Sequence, residues 1–345
     1  MSTLKATNLQ SPSAVNPAIV LAADGSATAQ LSSINGGPLA GFRNRIINGN
    51  FDIWQRGTSF TGSEYGADRW SSGRTGTTHT ATRQLFTLGQ TDVPNNPTYY
   101  IRTVVSSVAG AGNFSYLRQP IEGVQTLSGQ QVTVSFWAKV DSTKNISVEL
   151  VQSFGTGGSP SAAVLGIGTT KVSVGTSWQK VTVTATVPSI SGKTKGTNND
   201  DSLGLFIWFD AGSSFDVRTN TLGQQSGTFE IAQVQVEPGS VATPFEQRPI
   251  GTELSLCQRY YSAINQSSTY TWYADSAGRG NHTWFTLPVT MRAAPTTTSN
   301  FSAGVNTLGA GTITTTNYTF YAIIGANAAG GCQVTLNIGV FSAEL

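Results

Sequence analysis

The sequence predicts an all-β protein, with an extended N-terminal arm, a β-sandwich, and a smaller C-terminal β-sandwich that a short helix leads into. Only 11% of the 345 residues are charged, and Gly is abundant at 38 residues, a composition that favours many short strands joined by turns. Several segments alternate apolar and polar residues with the period of an antiparallel strand that has one face on a core. Aromatic residues make up 10% of the chain, which argues for packed cores and against disorder.

The first segment, residues 1–42, carries almost no charge and predicts an arm. Within Ile19–Gln30, the turn pair Asp24-Gly25 separates two strand-like runs, which is a strong signal for a β-hairpin. One hairpin cannot support itself in water, so we expect this arm to lean on sister chains or on another protein. Gly36-Gly37-Pro38 ends the segment.

The second segment, residues 43–247, predicts a long all-β stretch with turns rich in Gly, Ser and Pro. In its last strand the apolar positions change face at Ala232, which predicts a bulge or a twist. The best strand candidates are Gln131–Lys139, Ile146–Ser153, Gln179–Val187, Leu203–Asp210 and Thr228–Glu237.

The third segment, residues 248–345, predicts a second, smaller β-sandwich. It opens with a helix over Thr252–Tyr261, in which Thr252 can cap the N-terminus and Leu254, Cys257 and Tyr261 share one face. The strand candidates that follow are Thr269–Ala274, His282–Leu287, Thr312–Thr316, Tyr318–Ile324 and Gln333–Phe341.

Charge and cysteine content narrow the possible partners. The net charge is +2 and the basic residues are scattered, so the sequence does not favour nucleic-acid binding. Cys257 and Cys332 lack metal-ligand spacing and are expected to be buried free thiols, consistent with folding in a reducing cytoplasm. The apolar run Ala18–Ala23 is too short to span a bilayer, and no signal peptide is visible, so we expect no membrane insertion.

The middle segment resembles the carbohydrate-binding jelly-roll modules of the calcium-containing, galactose-binding-like type. The resemblance lies in motifs that occur in the family's order: Asn48–Trp54, Ala67–Trp70, Val132–Lys139 (VTVSFWAK), Ser177–Val183 and Phe229–Pro238. It implies a jelly-roll fold over residues 43–247 and binding of glycan.

The whole chain is also similar to bacteriophage virion proteins, especially tail-fibre proteins. The motifs that carry this similarity are Asn44–Gly57, Ala67–Trp70, Arg248–Tyr261 and Leu287–Pro295. The similarity implies a structural fibre made in the host cytoplasm, joined to other virion proteins through residues 1–42, and forming a homotrimer that contacts host surface polysaccharide. Residues 248–345 would then serve trimerisation or host contact. A head-decorating capsid fibre, and a carbohydrate-binding module or depolymerase component, remain alternatives.

Glycan sites use exposed aromatic platforms together with polar partners. Aromatic residues outside the apparent core motifs are therefore the candidates for glycan binding. The alternative for each is a place in the core, as expected for Trp54, Trp137 and Trp178. Asp210 and Asp216 are secondary candidates. The glycan-binding candidates are Trp70, Tyr99, Tyr100, Phe154 and Trp208.

The resemblance also implies a structural calcium site, for which Asp52 fits the first ligand position. The last strand, however, has Ala232 and Gln233 where the family has acids, so too little oxygen charge remains and no metal is expected. The only histidines are His79 and His282, no catalytic motif is present, and no cofactor is expected. The sequence therefore favours a protein that is not an enzyme.

Overall fold

The computed structural model describes residues 8–9, 19–21, 27–29, 41–302, 304–308 and 312–345. The described residues are almost entirely β-strands and their connections, which confirms the predicted all-β class with a short helix. Within this part of the chain, no helix has the length and apolarity needed to cross a bilayer.

Three short strands near the N-terminus form an antiparallel sheet in the order β1-β2-β3. They are β1 (Asn8–Leu9), β2 (Ile19–Leu21) and β3 (Ala27–Ala29). Ile19 pairs with Ala29 and Leu21 pairs with Ala27, the register that the predicted hairpin requires. The turn itself, Asp24-Gly25, lies outside the described residues.

The strands between residues 59 and 238 form two antiparallel sheets, one of five strands (β11-β10-β13-β8-β5) and one of six (β12-β9-β14-β7-β6-β4). The strands are β4 (Ser59–Phe60), β5 (Ser71–Thr75), β6 (Thr78–Leu85), β7 (Tyr99–Ser106), β8 (Phe114–Glu122), β9 (Gln131–Val140), β10 (Lys144–Ser153), β11 (Val164–Val174), β12 (Gln179–Thr186), β13 (Ser202–Ala211) and β14 (Gly227–Pro238). Buried apolar side chains from both sheets, among them Phe136, Phe209 and Phe229, pack into one core.

The strands predicted in this stretch are present, and their ends differ from the prediction by at most two residues. The predicted irregularity in the last strand is a β-bulge. Between Ala232 and Gln235 the register of β14 against β9 shifts, and Gln233 between them has φ of 51°. The bulge explains why the apolar positions change face there.

The helix of the C-terminal region begins earlier than predicted. After a 3₁₀ turn (Ser213–Phe215) and the short helix α1 (Asp216–Thr219), the helix α2 covers Ile250–Gln258, with Pro249 at its N-cap. The prediction that Thr252 caps this helix is wrong, because Thr252 lies inside the first turn. A proline with fixed φ immediately before the first turn starts the helix without a side-chain cap.

The buried face of α2 also differs from the prediction. Glu253 and Cys257 are its buried residues, one turn apart, whereas Leu254 is only partly buried. Glu253 can be buried because it accepts hydrogen bonds from the Arg248 guanidinium and from the backbone N–H of Asn48. Both cysteines are free and buried, as expected, and burial raises the pKa of Cys257 well above its usual value.

The remaining strands form two small sheets, one in the order β15-β21-β17 with β18 also paired to β21, and one in the order β16-β20-β19. They are β15 (Tyr261–Ala274), β16 (Gly280–Thr286), β17 (Thr296–Thr297), β18 (Asn300–Phe301), β19 (Thr312–Thr315), β20 (Thr319–Gly325) and β21 (Gly330–Ser342). Their shared core includes Met291, Phe320, Leu336 and Phe341.

The motifs that carried the resemblance to virion proteins meet where these sheets join the first two. The Arg56 guanidinium lies 3.5 Å from the centre of the Tyr261 ring, and the Arg69 guanidinium lies 3.5 Å from the centre of the Tyr260 ring. The Gln55 side-chain amide donates to the Tyr261 carbonyl at 2.8 Å. These motif residues therefore hold the two regions together.

Candidate functional site

The outer face of the five-stranded sheet carries a cluster of aromatic rings. Alternate residues of a strand point to the same face, so Phe114 and Tyr116 on β8 stand beside Phe206 and Trp208 on β13. Tyr116 pairs directly with Trp208, and their ring centres are 5.0 Å apart in an edge-on arrangement. These rings form the floor of a groove, which we call the aromatic groove.

Two glycines make room for the rings of the floor. A Cβ on Gly73 would come within 2.2 Å of the Tyr116 ring, so this ring can lie over β5 only because Gly73 has no side chain. A Cβ on Gly204 would come within 3.0 Å of the Phe206 ring. Small residues in the strands thus shape the floor.

One wall of the aromatic groove comes from the segment after β13. The ring of Phe215, in the 3₁₀ turn, lies edge-on to Phe114 at 5.1 Å between centres. The guanidinium of Arg218, in α1, lies 4.9 Å from the centre of the Trp208 ring and 5.5 Å from that of Phe206. This wall covers Trp208 completely.

A buried carboxylate fixes that wall. Glu149 on β10 is fully buried and accepts two hydrogen bonds from the Arg218 guanidinium, both at 2.9 Å. It also accepts hydrogen bonds from the Trp208 indole N–H at 3.1 Å and from the Gly166 backbone N–H at 2.7 Å. Because a buried charge is costly unless it is paired, this arrangement holds Arg218 and Trp208 in one geometry.

The aromatic groove has a volume of 380 Å³ and contains both polar and apolar groups. Leu165, half exposed, and Val151 add apolar surface, while Asp200 lies at the rim. Arg118 on β8 is also part of the lining, and its guanidinium lies 5.8 Å from the Phe206 ring centre. Apolar rings beside hydrogen-bonding groups suit a ligand that has apolar faces and hydroxyl edges.

Of the predicted glycan-binding residues, the structure places Trp208 in this groove. Trp70 and Phe154 are enclosed, with exposures of 1% and 2%, and present no ring face to solvent. Trp70 packs on Phe51 at 5.2 Å, and its indole N–H donates to the Asn48 carbonyl at 2.9 Å. These two side chains therefore support the fold in this structure.

Tyr99 and Tyr100 lie on β7 in the six-stranded sheet, away from the aromatic groove. The Tyr100 ring packs against Phe86 at 4.7 Å and Trp178 at 5.3 Å, and burial raises the pKa of its hydroxyl. The Tyr99 ring lies 4.6 Å from the Arg83 guanidinium. The structure thus does not bring these residues together with Trp208.

The two aspartates named as secondary candidates lie outside the groove lining. Asp210 is fully buried and accepts hydrogen bonds from the hydroxyls of Thr77 and Ser107 and from the Gln225 backbone N–H. Asp216 is the first residue of α1. Asp210 therefore stabilises the fold, since its carboxylate oxygens already accept hydrogen bonds from three donors.

Asp52 is partly buried and accepts a hydrogen bond from the Asn50 side-chain amide at 3.0 Å. Burial raises the pKa of its carboxyl group. Within the described part of the chain, no group of three or more His, Cys, Asp and Glu residues could hold a metal ion. The carboxylates of Glu122 and Glu149 each form an ion pair with a different arginine.

Sequence reasoning missed five residues of the groove lining, namely Phe114, Tyr116, Arg118, Phe215 and Arg218. A signal for the first three was present, because Phe114, Tyr116 and Arg118 alternate along one strand and would share a face. Phe215 and Arg218 carried no such signal, since they come from a short turn and helix.

No protein-family profile and no curated protein sequence matches this chain. Among solved structures, it is similar to tailspike protein 4 of bacteriophage CBA120, described as an enzymatically active domain, at 16% identity and a TM-score of 0.34; the match covers 57% of this chain and 21% of that one. It is similar to the family 11 carbohydrate-binding module of Clostridium thermocellum at 9% identity and a TM-score of 0.31, covering 54% of this chain and 98% of the module. A third similar structure is the module TmCBM61, at 11% identity, with coverage of 57% and 99% and a TM-score of 0.28.

Proposed function

We propose that this protein is a non-enzymatic structural fibre of a bacteriophage virion, a tail fibre, whose middle part (residues 43–247) binds host-surface glycan in the aromatic groove. The groove itself carries the proposal for binding. Sugar rings present C–H faces that pack on aromatic rings, and hydroxyls that accept hydrogen bonds from guanidinium groups. The aromatic groove offers both kinds of partner within one 380 Å³ space.

The rings of the aromatic groove form two sets, one buried and one partly exposed. Trp208 and Phe206 are buried and form the base, whereas Phe114, Tyr116 and Phe215 are partly exposed. A ligand would therefore touch the second set. Glu149 and ring packing hold the buried rings in place. The partly exposed rings pack against those buried rings, so they need little reorganisation on binding, which favours affinity.

The test is to remove the contacting rings and measure binding. Tyr116→Ala and Phe215→Ala should each weaken binding to host surface polysaccharide about fivefold, since stacking on one ring contributes about 1 kcal/mol. Tyr273→Ala is the matched control, because Tyr273 is 79% exposed in the C-terminal region. A glycan array and a calorimetric titration that remain blank for the wild-type protein would exclude glycan binding.

The virion role draws its support from the motifs in Asn44–Gly57 and Arg248–Tyr261 and from the arm, residues 1–42. In this proposal the arm joins the particle, because exposed strand edges invite pairing with a partner strand. A chain that starts at Arg43 should fold and yet be absent from particles in a complementation assay. Normal copy number of the truncated chain on particles would place the attachment elsewhere.

The proposal includes a homotrimer, in which three grooves would multiply weak affinity into strong attachment. Light scattering of the full chain at micromolar concentration should give three times the monomer mass of 36.3 kDa. A monomer mass would contradict this part of the proposal. Imaging of whole particles would separate a tail fibre from a head-decorating capsid fibre.

A further inference from the structure

The charged side chains of the aromatic groove differ in how fully they are paired with hydrogen-bond and ion-pair partners. The two side-chain carboxylates in or beneath it already have partners: Glu149 binds Arg218, Trp208 and the Gly166 backbone, and Asp200 accepts hydrogen bonds from the Thr156 backbone N–H at 2.7 Å and its hydroxyl at 2.6 Å. Leu345 also lines the groove, and its carbonyl oxygen accepts a hydrogen bond from the Tyr65 hydroxyl at 2.7 Å. The hydrogen bonds from Thr156 lower the pKa of Asp200. Asp200 thus remains ionised at neutral pH, and the oxygens of both acids already have hydrogen-bond donors.

Arg118 is in the opposite situation. Its Nε donates to the Ser71 hydroxyl at 3.0 Å, which holds the guanidinium beside the floor. Among the described residues, none accepts a hydrogen bond from its two terminal nitrogens, and no carboxylate forms an ion pair with it. A guanidinium has a planar fork of donors that matches a carboxylate in a bidentate manner, and here that side of the fork is unused.

The position of Arg118 makes the unused donors available to a ligand. Arg118 and Arg218 both lie close to the Phe206 ring, at 5.8 and 5.5 Å from its centre. A sugar seated in the groove would therefore have both guanidinium groups near it, one paired with Glu149 and one without an ion pair among the described residues. We propose that the aromatic groove selects glycans bearing a carboxylate, such as uronic acids, with Arg118 as the residue that sets this specificity.

The physical reason is the cost of covering an unpaired charge. A neutral glycan bound over the groove would remove water from Arg118 without supplying a counter-charge, which is unfavourable. A carboxylate replaces that water with two charge-assisted hydrogen bonds. The inference rests on the proposed glycan binding, and its test is arranged so that the two can fail separately.

The experiment compares binding to a panel of uronic-acid-containing bacterial polysaccharides with binding to the carboxyl-reduced product of each. The full chain should bind at least one acidic polymer about tenfold or more tightly than its reduced form. Arg118→Gln should abolish that difference. Arg118→Lys should keep part of it, because lysine retains the charge and loses the planar fork.

The control is Arg279→Gln, which removes the same charge from a side chain that is 68% exposed in the C-terminal region. It should bind like wild type, and a thermal melt should show each variant folded. Equal affinity for acidic and reduced polymers, with Tyr116→Ala still weakening both, would overturn the carboxylate preference and leave glycan binding standing. An effect of Arg279→Gln equal to that of Arg118→Gln would indicate non-specific charge and overturn the assignment of Arg118. Absence of binding to every polymer would overturn both proposals.

Discussion

Stacked aromatic rings occur on the outer faces of two sheets, but the two groups of rings differ in their exposure to solvent. In the aromatic groove, Trp208 is fully buried beneath Phe215 and Arg218. On β16 and β20 of the C-terminal region, Trp284 stacks on Tyr321 at 4.0 Å and yet remains 67% exposed. Strand alternation places the rings outward in both cases. The difference comes from the segment after β13, which folds back over one pair and creates a cavity.

The strand pattern determines on which face of the sheet a ring lies, whereas a covering segment determines whether that ring is buried. A ring on an outer sheet face becomes part of an enclosed site only where another segment reaches it, and Glu149 holds that segment in place through Arg218. The Trp284 and Tyr321 pair has only His282, whose ring lies 5.7 Å from that of Tyr321, as an aromatic or charged neighbour among the described ring contacts. Removing Glu149, which holds the covering segment, should therefore reduce the free energy of unfolding much more than removing the exposed ring of Trp284.

The largest effect is expected from Glu149→Ala. The change leaves Arg218, 22% exposed, and the Trp208 indole N–H without their acceptor, and we expect a loss of ~2 kcal/mol in the free energy of unfolding. The partial exposure of Arg218 places this estimate below the range for fully buried pairs. Chemical denaturation measures it. The double variant Glu149→Ala/Arg218→Ala should recover part of the loss, and stability equal to wild type in the single variant would contradict the role given to Glu149.

A smaller effect is expected from Gly73→Ala. The new methyl group would meet the Tyr116 ring, which must move, at a cost of ~1 kcal/mol because the ring is partly exposed and can yield. Binding of glycan should weaken as well. Gly112→Ala is the matched control, since a Cβ there meets nothing within 4 Å. Equal stability and binding for the two variants would show that the position of the Tyr116 ring is unimportant.

A pH effect is expected where the two regions join. Burial alone would raise the pKa of Glu122, but hydrogen bonds from Arg259 and Tyr260 outweigh it and lower the pKa below its ordinary value of 4.5. A lowered folded-state pKa gives stability that is present above the unfolded pKa and is lost as the pH falls through the folded one. About a third of each side chain of the ion pair is exposed, so we expect ~0.5 kcal/mol. The free energies of unfolding of wild type and Glu122→Gln should differ less at pH 3 than at pH 7; a gap that stays constant would refute the linkage.

The smallest effect is expected from Trp284→Ala. A side chain that is 67% exposed loses little burial, so the change in the free energy of unfolding should be within ~0.5 kcal/mol. Thermal melts at two protein concentrations provide the measurement. A loss as large as that of Glu149→Ala would mean that this ring is covered in the assembled protein, and the contrast with the aromatic groove would then disappear.

The strands and the bulge at Gln233 could be predicted because alternation directly reflects which face is buried. Trp208 was placed among the ligand candidates, yet its burial could not be foreseen, since it depends on Phe215 and Arg218 from a segment without periodicity. Trp70 failed as an exposed platform for a related reason: packing on Phe51 is a tertiary contact. The start of α2 was missed because a proline at the N-cap competes with the usual hydroxyl signal that Thr252 supplied.

The most direct test of glycan binding in the aromatic groove is a crystal structure with an oligosaccharide released from the host surface polysaccharide. We expect sugar density against the exposed faces of Tyr116 and Phe215, with a polar contact to Arg118. Density over the Trp284 and Tyr321 pair, with the aromatic groove empty, would contradict it.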